Sequence, residues 1–505
     1  MISNLDQELL SSGIEGLDSI LRGGFPPNNA YLVKGRPGTG KTSLAMQFLL
    51  EGARRGESAL YVSFSESRRE LEVVAESHGW DIDSIRTVEL ASSISERATA
   101  GSSIFHASDV DLPQSLNTIT ECVERYEPTR VAVDSLTELY NMAESERHFR
   151  RALFQLKIRL EKAGVTTIFV GEQGPAVKTD AESIVHGIIE LERETPHYGP
   201  QRRRLQVSKL RGREIETGFH DYKILRGGLE VYPRIRPSGQ GRRIGAGERA
   251  KSGIEALDRL LGGGFDRGST SLIVGPSGAG KSSVVIQYAV AAAKRGEKTV
   301  IYTFDEDPAT ITRRAENMEV PLSEHLDAGL VRVQSVDAAE MSPGQFAHLV
   351  REAVDEGGAQ FIAIDSINGY MHAMPSTESL VPHLHDLLTF LGNRGVVMML
   401  VMTLGGLFRG TEKEAMHLSY LADTVLLLRY FEQRGAVRRA ITAAKHGTGN
   451  HEKLIRELTL GEGGVHIGEP IEEFSGVLEQ TPVFEGSSNA LNRRTRHGYA
   501  VHDDD

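Results

Sequence analysis

The chain has 505 residues, a formal net charge of −12 and a single cysteine. At roughly 150 residues per domain, such a length predicts two to four domains rather than one core. The acidic balance argues against a protein whose main task is to coat DNA, though it leaves room for a local basic groove, and one thiol excludes an internal disulfide framework.

The opening stretch, MISNLDQELLSSG, has neither a basic start nor an apolar centre, so no secretory signal is expected. The longest apolar run, VVMMLVM near residue 400, is far too short to span a bilayer. A cytoplasmic chain is therefore expected. The first predicted element is a short helix in GIEGLD, closed by a glycine cluster. A strand then runs into GRPGTGKTS, Gly35 to Ser43, and an amphipathic helix, SLAMQFLLEGA, follows. Apolar, β-rich runs recur downstream as ALYVSF, RVAVDS and TTIFVG, separated by helical patterns. Cys122 lies in one of these patterns, with Leu116, Ile119 and Val123, and reads as core filler. The closely spaced runs GIIELER and RRLQVSKL are predicted as antiparallel additions at the sheet edge.

A stretch rich in Gly, Pro and Arg, YPRIRPSGQGRRIGAGE, then reads as a linker. Beyond it the whole order repeats at a spacing of about 240 residues. SGIEGLDSILRGGF is answered by SGIEALDRLLGGGF, and GRPGTGKTS by GPSGAGKSS. TVIYTF, FIAIDS and MMLVMT supply the parallel strands, with TVLLLRYF and RRAITAAK at the edge. Alternating strands and helices predict an α/β fold in two tandem copies, each with a mostly parallel sheet, antiparallel edge strands and helices on both faces. The predicted domains are residues 1–235 and 249–470, with a linker at 236–248 and a mobile, acid-ended tail at 471–505.

Each copy carries a phosphate-binding loop. In the first, Gly35, Gly38 and Gly40 let backbone N–H groups converge on phosphate oxygens, with Ser43 opening the helix behind them. Lys41 reaches the β- and γ-phosphates, the Thr42 hydroxyl faces Mg²⁺, and the helix points its positive end at the same anion. Gly275, Gly278, Gly280, Lys281, Ser282 and Ser283 repeat the set, so ATP and Mg²⁺ are the expected cofactors. A fortuitous glycine turn is the competing reading, and the position of both loops between a strand and a helix argues against it. Asp134 and Asp365, each closing an apolar strand, are the expected metal-side carboxylates. Glu66 in FSES and Glu306 in FDED, with Asp305 beside the latter, are the candidates for orienting or deprotonating the attacking group.

The duplicated domain, the GIEGLD and GIEALD helices and the strand-end acids resemble the KaiC family of circadian-clock ATPases and autokinases, across nearly the whole chain to about residue 470. The resemblance implies two RecA-like P-loop NTPase domains and a homo-oligomer, a hexameric ring with ATP between protomers. The first domain would chiefly hydrolyse ATP, and the second would phosphorylate its own chain as a protein serine/threonine kinase. Ser419 in HLSYLADTV falls on the family's serine acceptor, while Tyr420 replaces the adjoining threonine, so a single-site switch is expected. Lys209 and Arg211 match the family's K-x-R that reaches a neighbour's γ-phosphate. Lys445 matches that lysine in the second half, but Gly447 stands where the arginine would be. Ser65 stands where the family has the first of two glutamates.

The implied partner is KaiB-like at the first domain, or a two-component signalling protein. The tail shows no resemblance to a KaiA-binding segment. Two other functions compete. A RecA- or Rad-type DNA motor draws support from RRRLQVSKLRGR, but the acidic balance and scarcity of aromatics oppose it. A slow ATPase scaffold without kinase activity draws support from Tyr420 and Gly447.

Overall fold

The computed structural model describes residues 8–90, 112–174, 180–195, 200–237, 247–373, 377–404, 418–447 and 451–472, with the short stretches 474–475 and 483–484. Most of the sequence-predicted linker and tail lies outside the described residues. The main division between two compact units falls between Arg234 and Ile235.

In the first unit, helix α1 (Glu15–Ile20) precedes strand β1 (Ala30–Gly35), and α2 (Lys41–Arg54) follows the glycine-rich loop. Then come β2 (Ala59–Ser63), α3 (Arg68–His78), β3 (Arg86–Glu89), β4 (Arg130–Asp134), β5 (Thr166–Glu172), β6 (Gly187–Glu194), β7 (Arg202–Leu210), β8 (His220–Leu225) and β9 (Gly228–Tyr232). These nine strands form one sheet in the order β3-β2-β4-β5-β1-β6-β7-β8-β9. The central strands are buried on both faces, as parallel strands covered by helices must be. Successive side chains of β1 enter opposite layers. Tyr31 and Val33 pack in the cluster that holds Leu44 and Phe48 of α2, whereas Leu32 joins Leu153 and Leu156 on the other face.

The second unit starts with a two-stranded ribbon, β10 (Arg249–Ala250) with β11 (Phe265–Asp266). Its main sheet comprises β12 (Thr270–Gly275), β13 (Lys298–Thr303), β14 (Val331–Ser335), β15 (Ala359–Asp365), β16 (Val397–Thr403), β17 (Thr424–Gln433), β18 (Ala436–His446), β19 (Arg456–Gly461) and β20 (Gly464–Pro470). The order, β14-β13-β15-β16-β12-β17-β18-β19-β20, reproduces that of the first sheet. The duplicated, mostly parallel architecture predicted from sequence is therefore present in both halves.

One strand in each half differs from the prediction. GIIELER and TVLLLRYF, predicted as antiparallel, form β6 and β17, which pair in parallel with the loop-bearing strands β1 and β12. The antiparallel part begins one strand later, at β7 and β18. In the first half the described residues of the crossover into β6 contain only the five-residue helix Asp180–Ile184, which carries little helical pattern.

The halves also anchor their sheets differently. Arg130, fully buried at the start of β4, donates to Glu57 at 2.5 Å and to the carbonyls of Ser11 and Phe48, and its guanidinium lies over the Phe48 ring. At the matching place in the second half, Glu297 is held instead by Arg267 and Arg295. Both solutions pair a buried charge, which would otherwise carry a large desolvation cost.

Candidate active sites

Each phosphate loop joins the C-terminal end of a central strand to a helix whose N-cap is a glycine in the left-handed region. The φ values are 91° at Gly40 and 101° at Gly280, a conformation that costs a non-glycine residue strain. The loop N–H groups and the helix N-terminus thus open on one side of the sheet, where an anion is favoured.

In the first unit, Thr42 Oγ1 donates to Asp134 Oδ2 at 2.8 Å, and the Tyr61 hydroxyl donates to the same oxygen at 2.8 Å. The loop hydroxyl and strand-end carboxylate predicted as metal-side partners are therefore already in contact. Lys41 Nζ donates to the carbonyls of Gly35 and Arg36, at 3.1 and 3.2 Å. Burial lowers its pKa, against the opposing pull of Glu172, Asp134 and Glu66. A phosphate would relieve that imbalance. Glu66 is positioned by Ser63, whose hydroxyl donates to the Glu66 carbonyl at 2.6 Å and accepts its N–H at 3.0 Å. Burial, and then the nearby Asp134 charge, push the Glu66 carboxyl above its ordinary value. Its Oε2 is buried without a hydrogen-bond partner among the described residues, as suits an atom that accepts from a bound water or substrate.

The second unit repeats the frame with different details. Ser282 donates to Asp365, whose pKa is raised by burial, and Thr303 holds Glu306 through the same pair of bonds that Ser63 makes to Glu66. Lys281 Nζ donates to the Pro276 carbonyl at 2.8 Å, and burial lowers its pKa to about 8. Asp305 accepts from Ser366, a contact that Ser65 in the first half cannot reproduce as an acceptor carboxylate. Arg314 pairs with Glu306 at 2.7 Å, where the first unit has Val74. These groups, with Gly278, Gly280, Arg313, Asn317 and Met318, line a cleft of about 860 Å³. The hard oxygen donors, the loop hydroxyl and strand-end Asp, suit Mg²⁺ in both units.

The remaining predicted residues lie beside the starts of β6 and β17. Lys209 pairs in register with Ile188, near the start of β1 rather than its loop end. Its ammonium donates to the Glu182 carbonyl at 2.5 Å, and Arg211 donates to the Ser183 carbonyl at 2.8 Å. Lys445 occupies the equivalent register opposite Val425 and donates to the carbonyls of Ser419 and Ala422, at 3.0 and 2.6 Å. Thr424, which opens β17 five residues after Ser419, pairs with Ser271, four residues before Gly275, so the start of β17 lies about 13 Å along the strand from its own loop. Glu182 thus occupies in the first unit the position of Ser419 in the second.

A profile of the KaiC ATPase family matches residues 10–236 and 250–472. The chain belongs to the KaiC family. It is 27% identical to the circadian clock protein KaiC3 of Synechocystis sp. (strain ATCC 27184 / PCC 6803 / Kazusa), over 95% of this chain and 96% of the relative. It is 29% identical to the circadian clock oscillator protein KaiC of Thermostichus vulcanus, over 95% and 93% respectively. KaiC membership makes the chain an ATPase with tandem domains, and implies use of ATP with Mg²⁺. No helix among the described residues is long and apolar enough to cross a membrane.

Two features of the site lay beyond the sequence reading. Tyr61 reaches Asp134 across the sheet, and nothing local marks it. Lys34, 5% exposed, pairs with Glu182 at 2.5 Å and Glu190 at 3.1 Å. Burial works to lower its pKa, but the two carboxylates raise it on balance. A lysine inside the apolar strand YLVKG was the available signal.

Proposed function

We propose that the two domains use ATP differently: the first hydrolyses it, and the second transfers phosphate to Ser419 of a neighbouring copy in a homo-oligomeric, hexameric ring. The observation that carries this reading is the position of Ser419 just before β17, a strand that starts about 13 Å from its own loop, with Lys445 beside it. An acceptor at that end of the sheet suits a donor nucleotide held by another copy. Lys209 and Arg211 occupy the matching edge of the first domain and would meet a neighbour's terminal phosphate there.

Within each site Lys41 or Lys281 binds the terminal phosphates, and the loop hydroxyl with Asp134 or Asp365 holds the metal. Bound Mg²⁺ supplies charge neutralisation for the phosphate oxygens. Glu66 accepts a proton from the attacking water, and Glu306, with Asp305 nearby, would do so from the Ser419 hydroxyl. The chain would serve in the cytoplasm as a clock or signalling switch, read by a KaiB-like or two-component partner. The names of its relatives and the matching fold support that role.

The test is incubation with Mg²⁺ and γ-labelled ATP, followed by mapping of the label. Wild type should carry phosphate at Ser419 and Ser419→Ala should not, while both still release phosphate at the first site. Equal label on both proteins would refute the acceptor. Hydrolysis with no label on either would favour the scaffold reading, which Tyr420 and Gly447 support.

A further inference from the structure

The two sites have exchanged the location of one positive charge. The first has Arg211 at the sheet edge and Val74 on the helix beside the loop. The second has Gly447 at the edge and Arg314 on the helix. The register equates the edge positions, because Arg211 N–H donates to the His186 carbonyl and Gly447 N–H donates to that of Asp423, at corresponding points of the two sheets.

Arg314 does not simply neutralise Glu306. Its Nη2 donates to Glu306 Oε1 at 2.7 Å, while Nη1 and Glu306 Oε2 are both buried and lack a hydrogen-bond partner among the described residues. A pair with one donor and one acceptor left over is incomplete, and such atoms are strongly disfavoured unless a further group meets them. The pair lines the same cleft as Lys281, Ser282 and Asp365. Its charges also reach the phosphate end of that cleft, since Arg314 acts on Asp365 and Glu306 acts on both Asp365 and Lys281.

We propose that Arg314 reads the terminal phosphate of the nucleotide in cis, through its spare Nη1, while its other arm holds Glu306 in place. It would supply within the chain the cation that Gly447 cannot supply from a neighbour. This rests on nucleotide binding at the Lys281 loop and not on whether Ser419 accepts phosphate.

The experiment compares Arg314, Arg314→Val and Arg314→Lys in the full chain, each carrying Lys41→Met to silence the first site. Equilibrium dissociation constants are measured for a non-hydrolysable ATP analogue and for ADP, both with Mg²⁺. A charge-assisted bond to the γ-phosphate predicts that Arg314→Val weakens analogue binding by about tenfold or more. ADP affinity should stay within about threefold, and Arg314→Lys should recover part of the preference. A preference unchanged by Arg314→Val, or an equal loss for both nucleotides, would overturn the proposal. Separately, absence of labelled Ser419 in the parent chain would sink the kinase reading while leaving this comparison intact.

Discussion

Lys445 donates to the main-chain carbonyl of Ser419 at 3.0 Å, and Lys209 makes the same bond to Glu182 at 2.5 Å in the other domain. A lysine thus pins the segment before the strand next to the loop-bearing one in both halves, but the residue it pins is an anion in one and a hydroxyl in the other. Two copies of one frame carry different chemistry at the same point. Lys445→Met should therefore lower label at Ser419 by about tenfold or more, because the segment bearing the proposed acceptor loses two charge-assisted bonds. ADP affinity should change little. Quantitative mapping of the phosphosite, alongside ADP titration, checks both.

Glu66 and Glu306 share a turn but not an environment. Glu66 is raised by burial and by Asp134, and it has no arginine at the position of Arg314. Glu66→Gln should reduce first-site hydrolysis by about 100-fold or more, read as phosphate release in a Lys281→Met chain. If the carboxylate is the working form, activity falls as pH drops through the raised pKa. The acid limb of wild-type turnover should then lie above the ordinary glutamate range.

Lys281 supplies the clearest proton linkage. Burial lowers its pKa to about 8, below the ordinary lysine value of 10.5. Between those two values the unfolded chain binds more protons, so this group makes stability rise with pH across that window. Bound phosphates favour the ammonium and reverse the shift. Nucleotide binding near pH 8.5 should accordingly take up protons, and Lys281→Met should remove that part. Calorimetric titration in two buffers of different ionisation enthalpy measures the uptake directly.

Much of this organisation was readable because its signals are local. The spacing of Gly35, Gly40 and Lys41 is dictated by a loop that must wrap one phosphate, and Asp134 and Asp365 close short apolar strands that stand out in the sequence. Orientation was harder: GIIELER and TVLLLRYF sit close before β7 and β18 in sequence and read as antiparallel edge strands, although they pair in parallel with β1 and β12. The short strand β3, half exposed and only four residues long, carries too little apolar pattern to register. Contacts between distant segments were out of reach. Tyr61 meets Asp134 from a neighbouring strand, and Arg314 folds back over two helical turns to Glu306.

Stability offers an independent check on the first domain. Arg130 serves one carboxylate and two carbonyls while fully buried. Arg130→Met leaves Glu57 and those carbonyls without their donor, and should destabilise the domain by about 3–5 kcal/mol. Denaturant unfolding should show that loss in the first domain, with ATP binding at the Lys281 loop retained.

The division of labour between the domains, with phosphate passing from one copy to the next, is tested most directly by mixing donors and acceptors. Two differently tagged chains are coexpressed, Lys281→Met, which keeps Ser419 but cannot hold ATP in the second site, and Ser419→Ala, which holds ATP but lacks the acceptor. After purification through both tags and incubation with γ-labelled ATP, label should appear on Ser419 of the Lys281→Met chain alone. No label on that chain, or label on the Ser419→Ala chain to the same extent, would contradict transfer to Ser419 between copies.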